Sequence, residues 1–142
     1  MMKMLFLDFD GVLHPTTTTR EKPLFCRTFL LQSALEGSTC DVVISSSWRH
    51  HYTHRELLAF LPLSVRTKVV GCTGGAYIGK WPRFNEIKSH LVHLGNIDWR
   101  ALDDSFFEFP PSCPELIPCN PNDGMAELQV QVLKQWLAHR MI

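Results

Sequence analysis

No apolar run in the sequence approaches the roughly 18 residues that a membrane-spanning helix requires, so no such span is expected. There is no excess of either charge: 14 Lys and Arg balance 14 Asp and Glu. A formal net charge of zero argues against indiscriminate binding to nucleic acid or an anionic membrane, although a local basic cleft can exist inside a neutral total. No Cys-x-x-Cys pair occurs. The five cysteines (Cys26, Cys40, Cys72, Cys113, Cys119) are odd in number and scattered. That pattern reads as a reducing compartment with mostly buried thiols, and it argues against a disulfide framework or a zinc cluster. Met1 to Leu7 begins like a signal peptide, but Asp8 and Asp10 interrupt it and no small-residue cleavage site follows. A cytoplasmic protein without membrane contact is expected.

What remains is an ordinary globular composition. The 142 residues are 45% hydrophobic and 20% charged, which suits one domain over 1–142 with a normal core and little room for a second. Met4 to Leu7 is a short continuous apolar run ended by Asp8, as in a strand covered on both faces. Asp41 to Ile44 is a second such strand, ending in Ser45-Ser46-Ser47. Lys68 to Cys72 reads as a third, Trp99 to Leu102 as a fourth ending in Asp103-Asp104, and Leu116-Ile117 as a short fifth. Helical spacing lies between them. It runs from Phe25 to Leu35 with Gly37 beyond, from Thr53 or His54 to Pro62, and from Pro82 to Gly95. A final amphipathic helix follows Asp123-Gly124, with Met125, Leu128, Val132 and Trp136 on one side. Thr16 to Thr19 reads as a loop or flap. The proline-rich stretch from Phe109 to Pro121 admits an edge strand only. Alternation of strand and helix predicts a three-layer α/β domain with a mostly parallel sheet.

Three of the first four strands end in polar clusters. In an open parallel sheet the carboxyl ends of the strands converge on the ligand crevice, so Asp8 and Asp10 are expected to meet Asp103 and Asp104. Carboxylates gathered this closely repel, and a hard divalent cation such as Mg²⁺ relieves the repulsion. Asp8 and Asp10, two apart in extended chain, would point to the same side. One can attack phosphorus while the other handles protons. A neighbouring carboxylate raises the proton affinity of one of the pair, which suits Asp10 to the acid role.

Phe6-Leu7-Asp8-Phe9-Asp10-Gly11-Val12-Leu13 resembles the first motif of the haloacid-dehalogenase-like (HAD) hydrolase superfamily. Val42-Val43-Ile44-Ser45 resembles its second motif and Ala101-Leu102-Asp103-Asp104 its fourth, in the same order along the chain. The segment Ser45 to Arg49, the Asp-Asp pair and a late Gly-Met turn are closer still to the HAD domain of "Swiss army knife" RNA repair proteins. The resemblance implies a Rossmann-like five-stranded sheet in the order 3-2-1-4-5 and a Mg²⁺-dependent phosphatase working through an aspartyl-phosphate. Asp8 would be the nucleophile and Asp10 the acid and base. Ser45 with Arg83 or Lys80 would hold the phosphate. Asp8, the Asp10 carbonyl, Asp103 and Asp104 would hold Mg²⁺. A phosphorylated small molecule or a nucleic-acid end is the expected partner.

Several choices stay open in the sequence. Lys88 follows Ile87 within a helix and is expected to face solvent, whereas Lys80 and Arg83 sit where a side chain can reach an anion. Lys80 fits the superfamily's usual lysine, and Arg83 fits the closer sub-family. Ser46 or Ser47 can instead cap the next helix. Arg49 can contact a polyanion or anchor Trp48. His50 and His54 have metal-ligand spacing, but without an acidic or cysteine neighbour in sequence they read as a solvated face. The stretches between Asp10 and Ser45, and between Cys72 and Lys80, are too short for an inserted cap, so an open site is expected. The competing classes are a receiver domain, whose acidic pair comes early in the chain, and a non-catalytic HAD-like binding domain. Retention of both Asp8 and Asp10 counts against the latter.

Overall fold

Along the first strand, Leu5 and Leu7 face one side and Met4 and Phe6 the other, and all four are buried. This two-sided burial makes the strand the centre of a sheet. A computed structural model describes residues 2–139. β1 (Met2–Leu7), β2 (Asp41–Ile44), β3 (Val69–Cys72), β4 (Ile97–Asp103) and β5 (Leu116–Pro118) form one sheet in the order β3-β2-β1-β4-β5. Every pairing is parallel. The expected strand order and the mostly parallel sheet are both observed. Pro118 is tolerated because β5 lies at the edge.

Helices cover both faces. On one side α1 (Thr28–Leu35), α2 (His54–Ala59), α3 (Leu63–Arg66) and α5 (Glu127–Ala138) enclose a core that contains Leu5, Leu7, Leu31, Leu57, Val65 and Leu133. On the other, α4 (Pro82–Leu91) packs Ile87 against Met4, Phe6, Val43 and Trp99. Among the described residues no helix is long and apolar enough to cross a membrane. The five cysteines are free, with Cys40 and Cys119 buried and the other three half-buried. Burial pushes the Cys40 thiol up to about 12, so it is no nucleophile at neutral pH.

Local chemistry sets the helix ends. Thr53 Oγ1 accepts the Glu56 N–H at 3.2 Å while Glu56 Oε1 accepts the Thr53 N–H at 2.9 Å, a reciprocal cap that starts α2. Pro62 closes the stretch as expected, and a further single turn, α3, then begins at Leu63. α1 starts at Thr28, later than the apolar spacing indicated, because Phe25 has φ +60 and cannot belong to a right-handed helix. The inward face of α5 also differs from the expected one. Gln129, Val130, Leu133 and Trp136 are buried, whereas Leu128 is 69% exposed and Val132 37%. Gln129 sets the rotation: its Nε2 donates to Pro118 O at 2.9 Å and its Oε1 accepts the Ala126 N–H at 2.8 Å.

Candidate active site

β1 and β4 are neighbours, with Leu7 beside Leu102. One step further, Asp8 and Asp103 therefore come together, and Asp104 follows. Ligand oxygens of Asp8, Asp103 and Asp104 lie within 4.8 Å of one another. Asp8 is 4% exposed and Asp103 1%. The main chain fixes both: Asp8 Oδ1 accepts the Phe9 N–H at 2.8 Å, and Asp103 Oδ1 accepts the Ser105 N–H at 2.9 Å.

A guanidinium stands against this cluster. Arg83 Nη1 lies 3.3 Å from Asp8 Oδ1 and 3.4 Å from Asp103 Oδ2, and it donates to the carbonyl of Ser45. Its Nη2 is 3.8 Å from Glu108. Burial works against the arginine's charge, but Asp103, Asp8, Glu108 and Glu86 more than offset it, so it stays protonated. For Asp8, burial and then repulsion from Asp103 push the carboxyl well above its ordinary range, with Arg83 opposing. Asp103 is raised as well, chiefly by burial, against the pull of Arg83 and the Ser105 N–H.

Ser45 extends from the end of β2, its N–H bonded to Leu7 O at 2.7 Å and its Oγ buried without a hydrogen-bond partner. Ser46 has the other task foreseen for this triplet, since its Oγ accepts the Trp48 N–H and starts a 3₁₀ turn. Lys80 is exposed, its Nζ 4.6 Å from the Trp81 ring centre. Of the two candidate cations, the fold therefore brings Arg83 to the acids and leaves Lys80 outside. Lys88 is exposed.

The expected meeting of four carboxylates is corrected to three. The Asp10 side chain is 46% exposed, with Oδ1 2.8 Å from His14 Nε2 and Oδ2 accepting the Trp48 indole N–H at 3.0 Å. The reason is local. The chain leaves the extended conformation immediately after β1, where Val12 and Leu13 donate to Phe9 O. The same-side geometry of a continued strand is then lost, and two N–H donors claim the carboxylate instead.

Arg49 serves the scaffold. It donates to Gly74 O, Ser46 O and Glu86 Oε1, each at 2.9 Å, and Glu86 Oε2 accepts the Tyr77 N–H at 3.0 Å. This buried pair fixes the loop after β3 and the helix that carries Arg83. His50 and His54 are exposed, and His54 Nδ1 lies 3.5 Å from Cys72 Sγ. Sequence reasoning missed His14, Glu86 and Glu108. His14 alone left a signal, as a polar residue four places after Asp10 in an otherwise apolar stretch.

The donor set is oxygen only, with Asp8 and Asp103 buried and Asp104 half-buried, and it is short of positive charge, which fits Mg²⁺. Two predictions arise here. Gly11 has φ +74, and a Cβ on it would lie 2.1 Å from Asp104 Oδ2 and 2.4 Å from Asp104 Cγ. Gly11→Ala is expected to destabilise the fold by about 1–2 kcal/mol through the left-handed backbone. It should also displace Asp104 and weaken Mg²⁺ binding, measured by titration against the melting temperature.

The second concerns pH. The carboxyl groups of Asp8 and Asp103 are raised in the metal-free fold. Their contribution to stability is therefore complete below the unfolded value of about 4 and is lost as pH rises through the folded values. Mg²⁺ favours the ionised forms, so it is expected to raise the melting temperature more at pH about 7.5 than at about 5. Equal shifts at both values would contradict the cluster's role.

A family model described as the HAD domain in Swiss Army Knife RNA repair proteins matches residues 4–130. No curated protein matches the chain, and neither does any solved structure.

Proposed function

The chain belongs to the family of HAD domains found in Swiss Army Knife RNA repair proteins, and from that premise we propose that it is a Mg²⁺-dependent phosphomonoester hydrolase using Asp8 as nucleophile. The observation that carries this reading is the cluster of buried Asp8 and Asp103 with half-buried Asp104, the first two paired with Arg83, beside the unpartnered Ser45 Oγ.

In the proposed reaction an Asp8 carboxylate oxygen attacks phosphorus in line, and the bond to the leaving oxygen breaks as Asp10 gives that oxygen a proton. Asp10 then takes a proton from water, which attacks the aspartyl-phosphate, releases phosphate and regenerates Asp8. Arg83 and the Ser45 hydroxyl bind non-bridging oxygens, where charge accumulates in the transition state. Mg²⁺, held by Asp8, Asp103, Asp104 and the main-chain carbonyl of Asp10, would neutralise the transferring group.

The substrate we propose is a terminal phosphate on a nucleotide or nucleic acid. The family's description supports this, and so does the lack of an inserted cap among the described residues, which leaves the crevice open to an extended chain. Tyr77, Phe106 and Phe107, on the loops that follow β3 and β4, are 43%, 69% and 70% exposed and offer rings on which bases can stack. The test is Mg²⁺-dependent phosphate release from small phosphomonoesters and from oligonucleotides with 3′- or 5′-terminal phosphates. Release favouring the oligonucleotides is expected. No release from any of them would sink the catalytic reading, and a preference for small esters would sink the substrate.

A further inference from the structure

His14 is wholly buried, yet both its ring nitrogens are engaged in a way that fixes where its hydrogen lies. Nδ1 accepts the main-chain N–H of Phe25 at 3.1 Å, so Nδ1 presents its lone pair. Nε2 then carries the hydrogen and donates it to Asp10 Oδ1 at 2.8 Å. The amide that sets this tautomer comes from a residue in an unfavourable conformation, since Phe25 has φ +60. Such a backbone costs on the order of 1–2 kcal/mol and persists only where its surroundings enforce it. Here they do. The Phe25 ring meets His14 edge-on at 5.0 Å and stacks on Phe60 at 5.0 Å.

Trp48 reaches the same carboxylate from a different element. Its indole N–H donates to Asp10 Oδ2 at 3.0 Å. The indole is in turn wedged among Phe9, Phe25, Tyr52 and Phe60, with ring centres 5.2–5.6 Å away. A histidine with both nitrogens satisfied is often a core residue and nothing more. Two donors from separate elements, one on each oxygen of a half-exposed carboxylate, are not explained by core packing.

We propose that His14 and Trp48 are positioning residues, which together hold the Asp10 carboxylate in the orientation from which it exchanges a proton with the leaving oxygen. Each Asp10 oxygen accepts one N–H and keeps a second lone pair for that exchange. Phe25 acts one step further out, by fixing the histidine tautomer. The inference rests on the acid role assigned to Asp10 above.

The test uses leaving-group dependence, because kcat/KM reports the steps up to departure of the leaving group. A p-nitrophenolate departs with little help from an acid, whereas the alkoxide of a nucleoside 5′-phosphate needs protonation, which is worth about 10²–10⁴-fold. Trp48→Phe removes the N–H and keeps a ring. His14→Gln keeps a donor near the position of Nε2, and His14→Asn keeps only an acceptor near that of Nδ1. Trp48→Phe and His14→Asn are expected to lose at least about tenfold in kcat/KM on the nucleoside phosphate and less than about threefold on p-nitrophenyl phosphate. His14→Gln should restore the wild-type ratio between the two substrates. Asp10→Asn is run alongside. If it separates the substrates while the His14 and Trp48 variants slow both alike, the positioning role is overturned and the acid role stands. If Asp10→Asn does not separate them, the acid role fails and the inference fails with it.

Discussion

Asp8→Asn is expected to lower hydrolysis of every phosphomonoester the wild type accepts by at least about 10⁴-fold, and to raise the melting temperature of the metal-free protein. The first effect follows from removing the proposed nucleophile, since an amide cannot form the acyl phosphate of the proposed reaction. The second follows from the surroundings of the carboxylate. Burial, Asp103 and Asp104 all oppose its ionisation, and together they outweigh the attraction of Arg83. Asparagine is neutral and nearly the same shape, and its Oδ1 can still accept the Phe9 N–H that Asp8 accepts at 2.8 Å. The substitution therefore removes repulsion without opening a cavity.

The sign of this effect can be checked against pH. A carboxyl whose folded value is raised favours folding when protonated, so wild type regains its lost stability as pH falls. The advantage of Asp8→Asn should be several degrees near neutrality and should shrink towards pH about 4. A variant that is inactive and also melts lower than wild type at neutral pH would falsify the electrostatic account, whatever it says about catalysis. Stability gained where activity is lost is a common mark of a site built against its own folding preference.

The sheet was legible because its strands are short apolar runs, three of the first four of them ended by a polar cluster. β1 and β2 carry apolar residues on both faces, and that pattern admits little except a covered parallel strand. The convergence of Asp8 with Asp103 was equally legible, since neighbouring strands of such a sheet end at the same edge. The direction of the Asp10 side chain was not. It depends on His14 and Trp48, which lie on two different segments and meet only in the fold. The choice between Arg83 and Lys80 was hidden for a related reason. Lys80 lies in the exposed loop, while Pro82 starts the helix that carries Arg83 inward, and Arg49 with Glu86 clamps that helix in place. The face of α5 was misread because two overlapping apolar series both include Trp136. Only the bonds made by Gln129 select between them.

Arg83→Met carries the second large expectation, and it separates the phosphate from the metal. Arg83 is the one cation that contacts both Asp8 and Asp103 among the described residues. In the proposed reaction its loss removes a donor for the developing charge of the transferring group, which is worth about 10²–10³-fold in turnover. It also leaves buried carboxylates without a counter-charge, at a cost on the order of 3–5 kcal/mol to the metal-free fold near neutrality. Mg²⁺ binding should move the other way. A guanidinium 3.3 Å from Asp8 competes with a divalent cation for the same oxygens, so the variant should reach half of its thermal stabilisation at a lower Mg²⁺ concentration than wild type. Lys80→Ala is the matched control, and its turnover should stay within about twofold of wild type, the scale expected of an exposed side chain. If the lysine variant lost as much activity as the arginine variant, the phosphate would have to reach the loop before α4. If Arg83→Met instead weakened Mg²⁺ binding, the guanidinium would be organising the acids for the metal, and its place in phosphate binding would need another argument.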